Sequence, residues 1–249
     1  MMKRFIRVAM LLSVVTVLLS ALSFATIEAK AAPSSGKVFQ NLFSSTSCGQ
    51  WSVVPSPNPN VVPSGLSGVA AVSVTNVWAV GYYVNTTGVT QTLTEHWNGT
   101  SWSVVKSPSP ASMNNELFSV AAVSATDVWA VGFITRNSAN GPVEQTLIEH
   151  WNGTSWSVVK SPNVGTSPTF SGVAAVSAHD VWSVGSHNNS NNVFQTLTEQ
   201  WDGKQWSVVK SPSPGSFNTQ LLAVAATSAH DVWAVGHADS NTLIEHFHC

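Results

Sequence analysis

Charge is scarce in this 249-residue sequence: Asp, Glu, Lys and Arg together make up 9% of it. Binding to nucleic acid relies on clustered Lys and Arg that neutralise phosphates. Past the first thirty-one residues no such cluster occurs, which argues against a nucleic-acid partner. Cysteine is equally sparse, with two in the chain, too few for a disulfide-dense scaffold or a thiolate metal cluster. Tyrosine also occurs only twice, as Tyr82 and Tyr83. Beyond the N-terminal leader no apolar run is long enough to span a bilayer as a helix, and no segment carries the 3.6-residue periodicity of an amphipathic helix. The glycine-rich phosphate loop, the nucleophile elbow and the zinc-binding helix are all missing, so no enzyme class is indicated.

What the chain has instead is Val, Ser, Thr, Asn and eleven tryptophans. Residues 1–31 open with Lys3, Arg4 and Arg7, continue through an apolar run to about Ala25 and reach Ala29-Lys30-Ala31, the pattern of a secretory signal peptide. Cleavage there leaves six basic residues against eleven acidic ones. Residues 32–47 read as a linker and 48–249 as the folded domain. Export makes two cysteines an expected disulfide. It also makes Asn85, Asn98, Asn152 and Asn188 glycosylation candidates if the route is eukaryotic.

Tryptophan marks the repeat. Trp78, Trp129, Trp182 and Trp233 stand in VW-A/S-VG at spacings of 51, 53 and 51, and Trp51, Trp102, Trp156 and Trp206 stand in WSVV at spacings of 51, 54 and 50. Two markers that share one period establish four units of about fifty residues. Each offers four strand-like segments, in the second unit LFSVAAVS (117–124), DVWAVGF (127–133), QTLIEHW (145–151) and SWSVVKS (155–161). NGTS or DGKQ between the last two is a hairpin signal, because Asn-Gly and Asp-Gly accept positive φ. Four antiparallel strands per repeat predict an all-β, four-bladed β-propeller.

On VWAVG and WSVV the repeat resembles the kelch family, whose blades follow the same strand order. It has one glycine (Gly81, Gly132, Gly185, Gly236) where kelch blades carry two. The resemblance implies a ring, and the fourth unit stops at EHFHC without its WSVV strand while an orphan QWSVV precedes the first unit. Trp51–Pro55 is therefore expected to pair beside 242–248 and close the ring within one chain, as a monomer. Alignment puts Cys48 and Cys249 at the same hairpin position and predicts a disulfide between them, contributing on the order of 5 kcal/mol in the chain-entropy model. Closure of this kind resembles the haemopexin-type propeller. Kelch-type rings host copper chemistry in galactose oxidase through a Cys–Tyr crosslink, for which Tyr82, Tyr83 and two committed cysteines offer no set. No cofactor or metal is expected.

Most tryptophans read as core, since each buries roughly 150–250 Å². Glu95, Glu149, Glu199 and Glu245 read as ties that accept indole or backbone hydrogen bonds; Asn76, Asp127, Asp180 and Asp231 read as turn-closing residues. His246 and His248 share a strand face but lack a third ligand. Recognition is expected where the repeats differ, in segments such as YYVNTTGVT, FITRNSANGPVE, SHNNSNNVF and HADSN, read as loops on one face. Tyr82, Tyr83, Arg136, Asn137, His187, Asn188 and His237 are the candidate ligand-binding residues. The expected function is a secreted, non-enzymatic binding module for surface glycans or extracellular proteins. The alternatives are a structural envelope or matrix protein and a kelch-like secreted hydrolase or oxidase.

Overall fold

A computed structural model describes residues 49–59 and 63–248. The leader, the linker, Cys48 and Cys249 lie outside the described residues, and with them the signal-peptide and disulfide expectations. All the strands fall in one compact unit that begins at Ser52.

Each repeat folds into an antiparallel meander. Blade one comprises β1 (Ser64–Ser73), β2 (Asn76–Val84), β3 (Thr90–Trp97) and β4 (Trp102–Val104). Blade two comprises β5 (Asn114–Ser124), β6 (Asp127–Ser138), β7 (Gly141–Trp151) and β8 (Trp156–Val158). Blade three comprises β9 (Thr166–Ser177), β10 (Asp180–Asn188), β11 (Phe194–Trp201) and β12 (Trp206–Val208). Blade four comprises β13 (Thr219–Ser228), β14 (Asp231–Ala238) and β15 (Asn241–His248). Strands follow chain order within every sheet, as the local hairpin signals require. In the β3–β4 turn Asn98 Oδ1 accepts from the backbone N–H groups of Thr100 and Ser101 at 2.9 and 3.0 Å, while Gly99 takes φ +97°. The outer strands span three residues each because the prolines of the following segment donate nothing to a ladder.

The glycine of VW-A/S-VG has a steric origin. A Cβ at Gly132 would fall 1.9 Å from the carbonyl oxygen of Glu116 on β5, and Gly81, Gly185 and Gly236 meet their inner strands in the same way. Each glycine sits beside a β-bulge in the inner strand, such as the shift between Leu117 and Ser119, which brings the two backbones close.

The core lies between blades. Trp78 of blade one packs with Val80 against Leu117, Leu147 and Trp156 of blade two, and Trp129 with Val131 packs against Phe170, Leu197 and Trp206 of blade three. The third junction is thinner, with Val184, Leu221 and Ala234. Trp78, Trp129 and Trp182 are 1–2% exposed, whereas Trp233 is 45% exposed. Five of the eleven tryptophans are buried and Trp97, Trp102, Trp151 and Trp201 are half-buried, while the core reading fails for Trp233 and for Trp51, which is fully exposed.

The expected closing strand does not form among the described residues. Residues 51–59 belong to no strand and the fourth sheet has three. Packing links blades one to two, two to three and three to four, with nothing comparable between four and one. The four antiparallel sheets make an all-β fold of propeller type, with three strands in the last sheet among the described residues.

Candidate functional site

The seven candidate ligand residues all lie on second strands. Tyr82 and Tyr83 are on β2, Arg136 and Asn137 on β6, His187 and Asn188 on β10 and His237 on β14, each near the end that leads to the third strand. Those stretches were expected to be loops. The Thr, Ile, Val and Tyr within them instead extend the strands, and the connections shrink to Asn85–Val89, Ala139–Asn140, Asn189–Val193 and Asp239–Ser240. Because the blades repeat, the second-strand ends line one rim of the fold.

The rim does not gather the seven into one pocket; none of them lines the three cavities described below. Tyr82 is half-buried with its ring over Gly65, where an added Cβ would stand 3.3 Å away. His187 Nδ1 lies 3.2 Å from the Asn188 carbonyl, and buried Asn188 donates to Asn192 Oδ1 at 3.2 Å, which leaves it no room for a glycan. His237 Nε2 meets Asn218 Nδ2 at 3.1 Å. Arg136 and Asn137 remain exposed on the β6–β7 hairpin. That hairpin reaches furthest of the four, since β6 has 12 residues and its counterparts 9, 9 and 8.

The repeated acids behave differently from expectation. Glu95, Glu149 and Glu199 are buried on third strands, and neither carboxylate oxygen of Glu149 or Glu199 has a hydrogen-bond partner. Burial pushes the Glu149 carboxyl well above the usual range, offset in part by the neighbouring Ser107 hydroxyl of the preceding blade. Burial pushes Glu199 up to about 8 and Glu245 up to about 7, the latter moderated by Ser211. Glu95 is raised for the same reason, with Ser56 as the moderating hydroxyl. Burial disfavours the charged form of each of these groups, and the indole ties expected of them are made elsewhere.

The ties belong to the aspartates, which do more than close turns. Asp127 Oδ1 accepts from Trp129 Nε1 and faces His150 Nε2, both at 2.8 Å. Asp231 Oδ1 meets Trp233 Nε1 at 3.1 Å and His246 Nε2 at 2.7 Å. In blade three Gln200 Nε2 donates to Asp180 Oδ1 at 2.8 Å, and in blade one His96 faces Asn76 Oδ1 at 2.9 Å. The repeated D-x-W and E-H/Q pairs signalled this link, because a residue preceding the second strand sits across from the one that ends the third. His246 is thus held by Asp231 and stacked on Trp233, 3.8 Å between centroids at 10°.

Sequence reasoning missed the cavity between blades three and four. It measures about 330 Å³ and is lined by Trp182, Val184, Val209, Leu243, Glu245 and Phe247 among others. At the earlier junctions the outer-strand indole occupies this position: Trp156 lies 5.2 Å from Trp78, and Trp206 lies 5.6 Å from Trp129. Trp182 meets only Phe247, at 4.8 Å. A second cavity of about 360 Å³ lies on the free flank of blade one, lined by Val54, Ser56, Leu66, Val69, Glu95 and Trp102. A third, of about 520 Å³, lies between Lys106–Pro108 and Trp151–Trp156.

No family model and no curated protein matches the chain. Among solved structures the chain is similar to YCF48 bound to D1 peptide, with a TM-score of 0.38 and 12% sequence identity over 73% of this chain and 66% of that one. The match spans just under two thirds of that structure's length.

Proposed function

We propose that the protein is an exported, non-enzymatic interaction module that recognises a surface glycan or an extracellular protein through the rim of its second-strand ends. The observation that supports this reading is a division of labour within each blade. The strand bodies repeat almost residue for residue, whereas the second-strand ends carry Tyr82 and Tyr83 in one blade, Arg136 and Asn137 in the next, and His187 and His237 in the last two. Rigid frameworks with unlike polar and aromatic edges are where recognition is built. Arg136 and Asn137 are the most accessible members and project on the longest hairpin, so they make the first contact.

The test is a glycan and cell-wall polysaccharide array probed with the purified chain beside Arg136→Ala/Asn137→Ala and Tyr82→Ala/His187→Ala. Loss of at least tenfold in affinity for the first variant, at unchanged circular dichroism, supports the reading. A ligand that binds both variants as tightly as the parent places recognition away from this rim. The structural-matrix alternative draws on the unpaired end flanks, considered next.

A further inference from the structure

We propose that the chain assembles head to tail with a second copy of itself, blade one of one copy docking on blade four of the other and lending residues 51–54 as that blade's missing fourth strand. This inference is independent of the rim. It rests on the internal junctions, which show what covers each kind of flank.

At an internal junction the leading face supplies a VW tryptophan, and the trailing face supplies a third-strand tryptophan and an outer-strand tryptophan. Trp78 is covered by Trp151 and Trp156, and Trp129 by Trp201 and Trp206. Blade four ends in a leading face with nothing on it: Trp233, Val235 and Leu222 are exposed. Blade one begins with a trailing face that is equally bare. Leu66 and Val69 are exposed there, and Trp102 is only half-buried where Trp156 and Trp206 are 5% and 4% exposed. The two flanks are complementary halves of the junction already made between blades one and two and between two and three. Apolar faces and strand edges left open in this way are sites of association.

The donor segment is already positioned. Ser56 stands beside Glu95 as Ser107 stands beside Glu149 and Ser211 beside Glu245. Val54 and Ser56 line the flank cavity of blade one with Glu95 and Trp102, as the end of an outer strand lies on the blade that follows it, while Val53 is exposed and unpaired. The acceptor is equally ready, because β15 has a free edge and the cavity beneath it has room for an indole. The register follows from the complete blades, where Trp151 pairs Trp156, His150 pairs Ser157 and Glu149 pairs Val158. By the same rule Trp51 would face Phe247, Ser52 would face His246 and Val53 would face Glu245. The Val54 N–H would then donate to the Ile244 carbonyl as Val159 donates to Ile148 at 2.9 Å.

A second copy is favoured over the chain's own N-terminus because, among the described residues, Val54 and Ser56 lie on the flank of blade one while no strand of blade one packs on blade four. Two copies supply eight blades, within the range propellers adopt. The contact is heterologous, and two such contacts close the ring.

The experiment is a cysteine pair, Ser52→Cys with His246→Cys, in a chain whose Cys48 and Cys249 are serine, oxidised and run on a non-reducing gel alongside sedimentation of the parent. Assembly gives a reducible band at twice the chain mass and a parent that sediments as a dimer. A disulfide within one chain, or a parent that stays monomeric at every concentration, overturns the proposal. Two blocked variants guard against misfolding: Trp233→Glu removes the leading face and Val69→Glu the trailing face. Each alone should be monomeric, and an equimolar mixture should recover a one-to-one dimer through the single intact junction. A variant that still self-associates, or a mixture that stays monomeric, counts against head-to-tail docking.

Discussion

Blade two and blade four carry nearly the same sequence, DVWAVG followed by EHW or EHF, yet they sit in different physical environments. In blade two Trp129 is 2% exposed and packed against the Trp201 and Trp206 rings; in blade four the equivalent Trp233 is 45% exposed and stacked only on His246. The lesson is that a blade does not own its core. Each sheet supplies half of a junction, so identical residues contribute according to whether a following blade exists, the nearest-neighbour logic of repeat proteins.

The sharpest way to break the comparison is to truncate the two tryptophans. Trp129→Ala empties an enclosed junction and should cost about 3–5 kcal/mol. Trp233→Ala in the dilute, unassembled chain removes a half-exposed ring and should cost about 1 kcal/mol or less. Urea unfolding followed by circular dichroism measures both. Equal losses would mean that blade four is covered in the monomer after all.

A second contrast concerns pH. Glu199 is buried with no partner on either oxygen and its carboxyl is pushed up to about 8. Its folded value lies above the unfolded 4.5, so between those values the folded state holds a proton that the unfolded chain has released. Stability is therefore greatest below about pH 4.5, falls as pH rises through about 8, and levels off above it, by an amount on the order of a few kcal/mol. Glu199→Gln should flatten that slope and raise stability at pH 9, as thermal melts across pH 4–9 would show. Glu245, pushed up to about 7, gives a smaller version that ends about a unit earlier. If the parent melts at one temperature across this range, the acids are solvated.

How much of this was legible in the residues depends on what each feature needs. Strand order and hairpin positions need only local chemistry, and NGTS, the prolines and the VWAVG alternation supplied it. The unexpected extension of β6 through Arg136 and Asn137 came from reading variability as looseness; Thr135 pairs with Glu144 and Arg136 with Val143 across a hairpin in which only Ala139 and Asn140 are left outside the strands. The role of the glutamates was misassigned because a repeated acid gives no sign of whether it faces an indole or a wall of methyl groups. The partner of Trp51–Pro55 was beyond reach because it depends on where the first and last blades stand, a long-range property that no single repeat carries.

The smallest contrast tests the Asp–His–Trp link. Asp127 is partly buried, and its Oδ1 serves Trp129 Nε1 and His150 Nε2 at once. Asp127→Ala strands a buried indole N–H, so a loss of about 1–2 kcal/mol is expected. Asp231 makes the same two contacts from a more exposed position, where water can replace the lost acceptor. Asp231→Ala should therefore cost less than Asp127→Ala in the unassembled chain. Covering blade four with a second copy would bury Trp233 and its N–H together, and the Asp231 loss should then rise toward that of Asp127. Unfolding the Asp231→Ala variant below and above the assembly concentration separates the two cases: a cost that grows with concentration means that the same three side chains have become interior, and a constant cost means that blade four keeps its flank in water.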